Sequence, residues 1–135
     1  MAEDLLELEI ATPERELLRE RVSDVQVPGK TGYLGILPGH AALLSELGTG
    51  YLTYTAGNRK RYMAIHGGYL EVLKDHVRIL ADRAERADEI DVERARQALE
   101  RAQARIANPN VGVDIARALT AAARAQARLE AAAHK

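Results

Sequence analysis

The sequence predicts an α+β fold, with an N-terminal antiparallel β-sandwich followed by a C-terminal antiparallel hairpin of two helices. The composition changes near residue 88, because all five tyrosines and nine of the ten glycines precede it and alanine dominates after it. Tyrosine and turn glycines favour strands and hairpins, whereas a stretch rich in Ala, Arg and Glu favours helix. We therefore predict a β-domain over residues 1–88 and a helical hairpin over residues 89–135.

Segments with apolar residues at alternate positions, each bounded by turn residues, predict the strands of the sandwich. In residues 6–10 Leu and Ile alternate with Glu until Thr12 and Pro13 end the segment. Residues 56–58 predict a hairpin turn between two later strands. Further strands are predicted over residues 22–27, 33–37, 50–55, 61–66, 69–73 and 77–80. Many short strands at even spacing are typical of a sandwich or a flattened barrel.

Two helices are predicted after the β-domain. Asp91 is a suitable N-cap, and the apolar positions from Val92 to Ile106 follow one another at steps of three and four residues. Residues 108–110, Asn-Pro-Asn, break this pattern, and a second helix with the same steps begins at Asp114. Because the connecting loop is short, the helices should fold back as an antiparallel hairpin.

Arginines recur along both predicted helices at separations of seven and four residues, at positions 94, 101 and 105 and at positions 117, 124 and 128. Such residues can form a solvated face with partners one turn away. Carboxylates are sparse here, since four basic residues from position 116 onward (117, 124, 128 and 135) stand against Glu130 alone. Unpaired guanidinium groups bind phosphate or carboxylate in bidentate fashion, so these arginine stripes also fit an external anion.

Several kinds of chemistry find no support in the sequence. The two serines, Ser23 and Ser45, lie outside a Gly-x-Ser-x-Gly context, and cysteine is absent. The four histidines have no metal-ligand spacing, and no phosphate loop or dinucleotide glycine pattern occurs. The net charge of -1 argues against a nucleic-acid binder. No apolar run is long enough for a membrane span, and the absence of a signal-like start leads us to expect a cytoplasmic location.

Three motifs resemble those of the epsilon subunit of bacterial F-type ATP synthases, the counterpart of the mitochondrial delta subunit. Residues 35–40 read Gly-Ile-Leu-Pro-Gly-His and are followed by Ala-Leu-Leu at 42–44, residues 67–72 read Gly-Gly-Tyr-Leu-Glu-Val, and residues 90–95 read Ile-Asp-Val-Glu-Arg-Ala. Their order, their separation and the chain length all fit, so the resemblance covers essentially the whole chain. It implies a non-catalytic rotor subunit of the proton-translocating enzyme on the cytoplasmic face of the bacterial plasma membrane. Such a subunit links gamma to the c-ring in ATP synthesis and inhibits ATP hydrolysis through its C-terminal helices.

The resemblance also implies a nucleotide site. In ATP-binding epsilon subunits the Ile-Asp-x-x-Arg-Ala motif acts together with a preceding Glu and later arginines. The matching positions here are Glu85, Ile90, Asp91, Arg94, Ala95, Arg101, Arg124 and Arg128. Asp91 would accept from the adenine amino group while arginines of both helices neutralise the phosphates, so ATP would be a regulatory ligand and no cofactor or metal would be required. Asp91 as an N-cap alone is the alternative.

A protein surface is the other anion that the resemblance implies. An opened hairpin would insert beside the central stalk and meet an acidic segment of the catalytic beta subunit, which would block rotation and hydrolysis. Many family members carry Glu or Asp where this chain has Tyr33, so we expect an amphipathic tyrosine contact with the ring in place of a salt bridge.

Two other functions are alternatives. A β-sandwich ligand-binding module with a helical dimerisation tail would need an exposed aromatic platform, and this chain has no Trp and five Tyr. A small hydrolase would need a nucleophile, for which the sequence offers no candidate.

Overall fold

The computed structural model describes residues 4–110 and 112–134 of the 135-residue chain. Its strands are β1 (Leu6–Ala11), β2 (Glu16–Val22), β3 (Asp24–Gly29), β4 (Gly32–Ile36), β5 (Leu43–Ala56), β6 (Arg59–Leu73) and β7 (His76–Arg86). A short 3₁₀ helix (Ala87–Glu89) leads to α1 (Val92–Ala107) and α2 (Ile115–Ala132). The predicted α+β fold, with a β-domain before two helices, is confirmed.

The described strands form a sheet in the order β2-β1-β7-β6-β5-β3-β4. Neighbouring strands are antiparallel except β1 and β7, which run parallel with Leu8 opposite Val77. These two strands are far apart in the chain, so no tight turn forces them to be antiparallel. The sheet also curls until β2 contacts β5, and the space that it encloses is filled mainly by Leu, Ile and Val. The result is a closed sandwich core.

The long strands turn a corner at a row of glycines. In β6 the odd-numbered Ile65 faces the core before the corner, whereas the even-numbered Leu70 faces it afterwards. Between them Gly67 and Gly68 have φ angles of 73° and 118°. Residues with a Cβ rarely adopt such angles, so glycine is what allows one continuous strand to serve both layers of the sandwich.

Several strand predictions were wrong in their bounds, although the fold class was right. β2 was missed, because the adjacent Leu17 and Leu18 interrupt a period-two pattern. The predicted strands 61–66 and 69–73 are both part of β6, and 50–55 is the second half of β5. In these two strands, corner glycines were interpreted as strand ends. The predicted strand 22–27 joined the end of β2 to β3.

The helix predictions are confirmed in that both helices begin directly after their predicted N-caps and α1 ends at the predicted break. The Asp91 carboxylate accepts a hydrogen bond from the Arg94 backbone N–H at 3.0 Å, and Asp114 does the same for Arg117 at 3.1 Å. These N-caps satisfy backbone donors that the first turn leaves free. α2 makes the broad contact with β5 and β6, and α1 packs chiefly on α2. The hairpin is therefore folded and docked on the outer face of the sandwich.

Candidate regulatory site between the hairpin and the sandwich

A small apolar cluster joins the end of α2 to the sheet. Ala131 and Ala132 of α2 pack with Ala64 of β6 and with Ile90, flanked by tyrosine rings. Alanine carries no side chain beyond Cβ, so nothing longer stands between the helix and the strand at these positions. At the end of the helix the ring of His134 stacks on a flanking tyrosine, Tyr62, with ring centroids 4.1 Å apart.

An ion pair joins the same helix to β7. The Arg128 Nε donates to the Glu85 Oε1 at 2.7 Å, and the His66 Nε2 lies 3.1 Å from the same oxygen. The exposed fractions of the three side chains are 25% for Arg128, 33% for Glu85 and 2% for His66. We call these three residues the docking clasp, because they connect β6, β7 and α2 at one carboxylate.

The clasp holds Glu85 in its ionised form. The hydrogen bond from His66, followed by the hydrogen bond and charge of Arg128, lowers the pKa of Glu85 to about 2, although partial burial opposes the shift. An ionised carboxylate can only accept hydrogen bonds. The His66 Nε2 must therefore carry a hydrogen and donate it to Glu85.

Three of the predicted site residues lie at the start of α1. The Asp91 Oδ1 is used as the N-cap of the helix, as described above. Ile90 is 5% exposed within the apolar cluster, and Ala95 of α1 is 3% exposed. All three residues thus have structural roles, and Asp91 is exposed beside its role as N-cap.

The predicted arginines are only partly brought together. Arg128 reaches Glu85, whereas Arg94, Arg101 and Arg124 make no ion pair with any residue in ranges 4–110 and 112–134. Arg94 and Arg101 are exposed, and Arg124 is half-buried. Lys135, which contributed to the predicted basic excess, lies outside the described residues. The arginine stripes therefore remain available to an external anion, and the nucleotide site stays a prediction.

His66 is the member of the clasp that sequence reasoning missed. The signal was present in the strand register: the turn between β6 and β7 sets His66 opposite Arg83, which makes Glu85 its diagonal neighbour on the same face. Diagonal pairs on one face are within reach of long side chains. The prediction of two short strands in place of β6 hid this pairing.

Tyr33 folds back over the sheet. Its ring lies 5.0 Å from that of Tyr51, and its hydroxyl oxygen accepts from the Tyr51 backbone N–H at 3.1 Å. Gly50 makes room for this, since a Cβ there would lie 2.5 Å from the hydroxyl oxygen. Tyr33 is nevertheless 44% exposed, so a contact with a partner is open to it and stays a prediction.

The chemical inventory of the described residues is limited. Among residues 4–110 and 112–134, no group of His, Cys, Asp and Glu could hold a metal ion. In the same ranges no helix is long and apolar enough to cross a bilayer.

The fold and the clasp define an interaction subunit, in which a β-sandwich carries a docked helical hairpin. The family model of the beta-sandwich domain of the ATP synthase delta/epsilon chain matches residues 5–87. The model of the long alpha-helix domain of the same chain matches residues 88–133. The chain belongs to the ATP synthase delta/epsilon family, and it is a stalk subunit rather than a catalytic one.

Individual relatives agree with this assignment. The chain is 63% identical over 132 residues to the ATP synthase epsilon chain of Solibacter usitatus, with 98% of each chain covered. It is 48% identical to that of Koribacter versatilis, with 76% of this chain and 72% of the relative covered.

Solved structures contain the same fold. One chain of the Euglena gracilis mitochondrial ATP synthase matches with a TM-score of 0.83 and 28% identity, covering 98% of this chain and 83% of that chain. A chain from the central stalk and c-ring of the Tetrahymena thermophila enzyme has a TM-score of 0.62 at 18% identity, covering 94% of this chain and 96% of that chain. The second similarity concerns the fold alone.

Proposed function

We propose that the chain is a central-stalk rotor subunit whose helical hairpin inhibits ATP hydrolysis after it leaves the sandwich. In the docked state the hairpin is held on the sandwich, and in the released state it reaches the catalytic beta subunit. The observation that carries this proposal is the chemistry of the docking contact, which consists of one partly exposed ion pair between Glu85 and Arg128, an apolar cluster made mainly of alanines, and the stacking of His134 on Tyr62. Because the sandwich has its own core, to which α2 contributes no residue, we expect this contact to break without unfolding either part.

The sandwich would link gamma to the c-ring during ATP synthesis, at the cytoplasmic face of the bacterial plasma membrane. An exposed apolar patch on neighbouring strands supports a gamma contact: Leu44, Tyr69 and Leu80 are 72%, 54% and 48% exposed, and Tyr69 is paired with Leu80. The segment over residues 32–40 would lie near the ring, and it is anchored where the Gly39 backbone N–H donates to the Asp75 carboxylate at 2.7 Å. The similar Euglena chain was solved in an assembly described as OSCP, F1 and c-ring.

Inhibition would use the arginine stripe of α2. Arg117 and Arg124 make no ion pair within the described residues, so a released α2 would offer them to carboxylates of the beta subunit. The test is ATP hydrolysis by the assembled enzyme after Arg117→Glu with Arg124→Glu, compared with deletion of residues 114–135. Both changes should raise the hydrolysis rate, whereas Arg105→Glu on α1 should not. Unchanged rates in the first two variants would show that the tail is not inhibitory.

ATP would stabilise the folded hairpin. Arg128 uses its Nε for Glu85, which leaves its terminal nitrogens for phosphate, and the Asp91 carboxylate is exposed. Nucleotide would bridge Arg94 and Arg101 of α1 to Arg124 and Arg128 of α2 only while the helices lie together, so binding would favour the compact state.

Calorimetry on the isolated full-length chain tests the ATP proposal. Arg94→Ala should weaken binding by about tenfold or more, because a charge-assisted contact with phosphate is worth roughly 1.5 to 3 kcal/mol. Arg105→Ala is the matched control on the same helix and should bind as the wild type does. No heat of binding at millimolar ATP would leave Asp91 as an N-cap and the arginines as partners for protein carboxylates.

A further inference from the structure

His66 is the buried histidine of the docking clasp, and its two ring nitrogens differ in their surroundings. Its side chain is 2% exposed, and its Nε2 donates to Glu85 at 3.1 Å. The other ring nitrogen, Nδ1, is buried without a hydrogen-bond partner in the described part of the chain. A buried polar atom left without a partner carries a cost, so the ring is retained there for the bond that it makes to Glu85.

We propose that His66 is a positioning residue, which aims the Glu85 carboxylate at Arg128 and makes docking of α2 depend on pH. In the neutral ring the hydrogen is on Nε2, which donates it to the Glu85 carboxylate. In the cationic ring both nitrogens carry hydrogen. Protonation would therefore add a buried Nδ1–H group with no acceptor.

The charges around His66 give the direction of the effect. From β7, Glu85 contacts the ring and Arg83 lies directly opposite His66 in the register, whereas β5 places the uncharged Thr49 opposite it. From α2, Arg128 binds the same carboxylate oxygen as His66. A protonated His66 would thus share one oxygen with a second cation, and release of α2 removes that competitor. Since the released state accepts the proton more readily, acid must favour release.

The link to enzyme regulation rests on the proposed function, because acid would then increase the inhibitory form. Docking itself does not rest on it and can be measured in the isolated chain without ATP or other subunits. A failure of the His66 inference is therefore separable from a failure of ATP binding or of inhibition.

The chain is well suited to a distance measurement, because it contains no cysteine. Asn58→Cys at the β5–β6 turn and Ala123→Cys on α2 would carry a fluorophore pair that reports docking by energy transfer. His134 stacks on Tyr62 at the same interface, so every variant also carries His134→Gln, which leaves His66 as the histidine at this contact. The pKa of Glu85, about 2, lies below the range used.

Three forms at position 66 are compared between pH 8 and pH 5. At pH 8, His66→Gln should dock as the wild type does, because its amide donates to the carboxylate, whereas His66→Leu should dock at least about tenfold less well. As pH falls, the docked-to-released ratio of the wild type should drop by up to tenfold per pH unit, and that of His66→Gln should stay constant.

Two results would overturn the inference: equal pH dependence in the wild type and His66→Gln, or equal docking of His66→Leu and the wild type at pH 8. If His66→Leu does not fold, which thermal unfolding reveals, the pH comparison with His66→Gln decides alone.

Discussion

Replacement of Glu85 by Gln should loosen the hairpin while leaving the sandwich intact. The variant keeps the shape of the side chain and removes the charge that Arg128 and His66 share. In the clasp the pKa of Glu85 falls from 4.5 to about 2. At 1.36 kcal/mol per pKa unit the whole shift corresponds to about 3 kcal/mol, but its largest cause, the hydrogen bond from His66, lies within the sandwich and persists when α2 leaves. Only the part that Arg128 contributes belongs to docking, and solvent screening of this partly exposed pair leaves about 1 kcal/mol. The docking equilibrium should shift by roughly fivefold.

Hydrogen exchange of the α2 amides in the isolated chain measures this shift, because release of the helix opens its backbone to fraying. Glu71→Gln is a matched control, since Glu71 is also a β-domain carboxylate but pairs with Arg78 on the exposed sheet surface. α2 should exchange faster in Glu85→Gln and as in the wild type in Glu71→Gln. Equal protection of α2 in the two variants would refute the role of the clasp.

Three further predictions concern the docking of α2 at low pH, the glycine corner of β6 and the N-cap of α2. Because the folded-state pKa of Glu85 is depressed, its contribution to docking is full above pH about 4.5 and is lost as pH falls towards about 2, which exchange of α2 at stepped pH should detect. Gly68→Ala should lower the free energy of unfolding, measured in urea, by at least about 2 kcal/mol more than Gly57→Ala does. Both glycines have positive φ, but only a Cβ at position 68 would meet the Leu80 carbonyl oxygen, at 2.1 Å. Asp114→Ala should cost about 1 kcal/mol through the lost N-cap, and an unchanged melting curve would contradict this.

The helices could be predicted closely because their signals are local. Asp91 and Asp114 cap the first turns, alanine favours the interior, and Asn108 with Pro109 ends α1. The strands were harder to predict, because the glycines at the corner are required by the packing of the two layers and not by the local sequence. Gly67 and Gly68 resemble a loop in sequence, yet the register of β6 runs through them unbroken, and only the packing of two layers explains why they are there.

The candidate site was predicted in part. Glu85 and Arg128 were named from the family motif, but their meeting depends on the register of β7 and on which face of α2 docks. Neither the register of β7 nor the docked face of α2 follows from the periodicity of apolar residues alone. His66 was not predicted because its partner Glu85 lies 19 residues further along the chain, and the histidines show no metal-ligand spacing. Pairing β6 with β7 outward from the turn at Lys74 and Asp75 would have placed His66 beside Glu85.

The central claim is that the docked hairpin does not inhibit and the released hairpin does. Ala64→Cys with Ala131→Cys would introduce a disulfide between two positions that pack in one buried cluster, and so lock α2 on the sandwich. The measurement is the rate of ATP hydrolysis by the assembled enzyme before and after reduction. We expect the oxidised, locked enzyme to hydrolyse ATP faster and to become inhibited on reduction. A locked enzyme that is as strongly inhibited as the reduced one would contradict the claim.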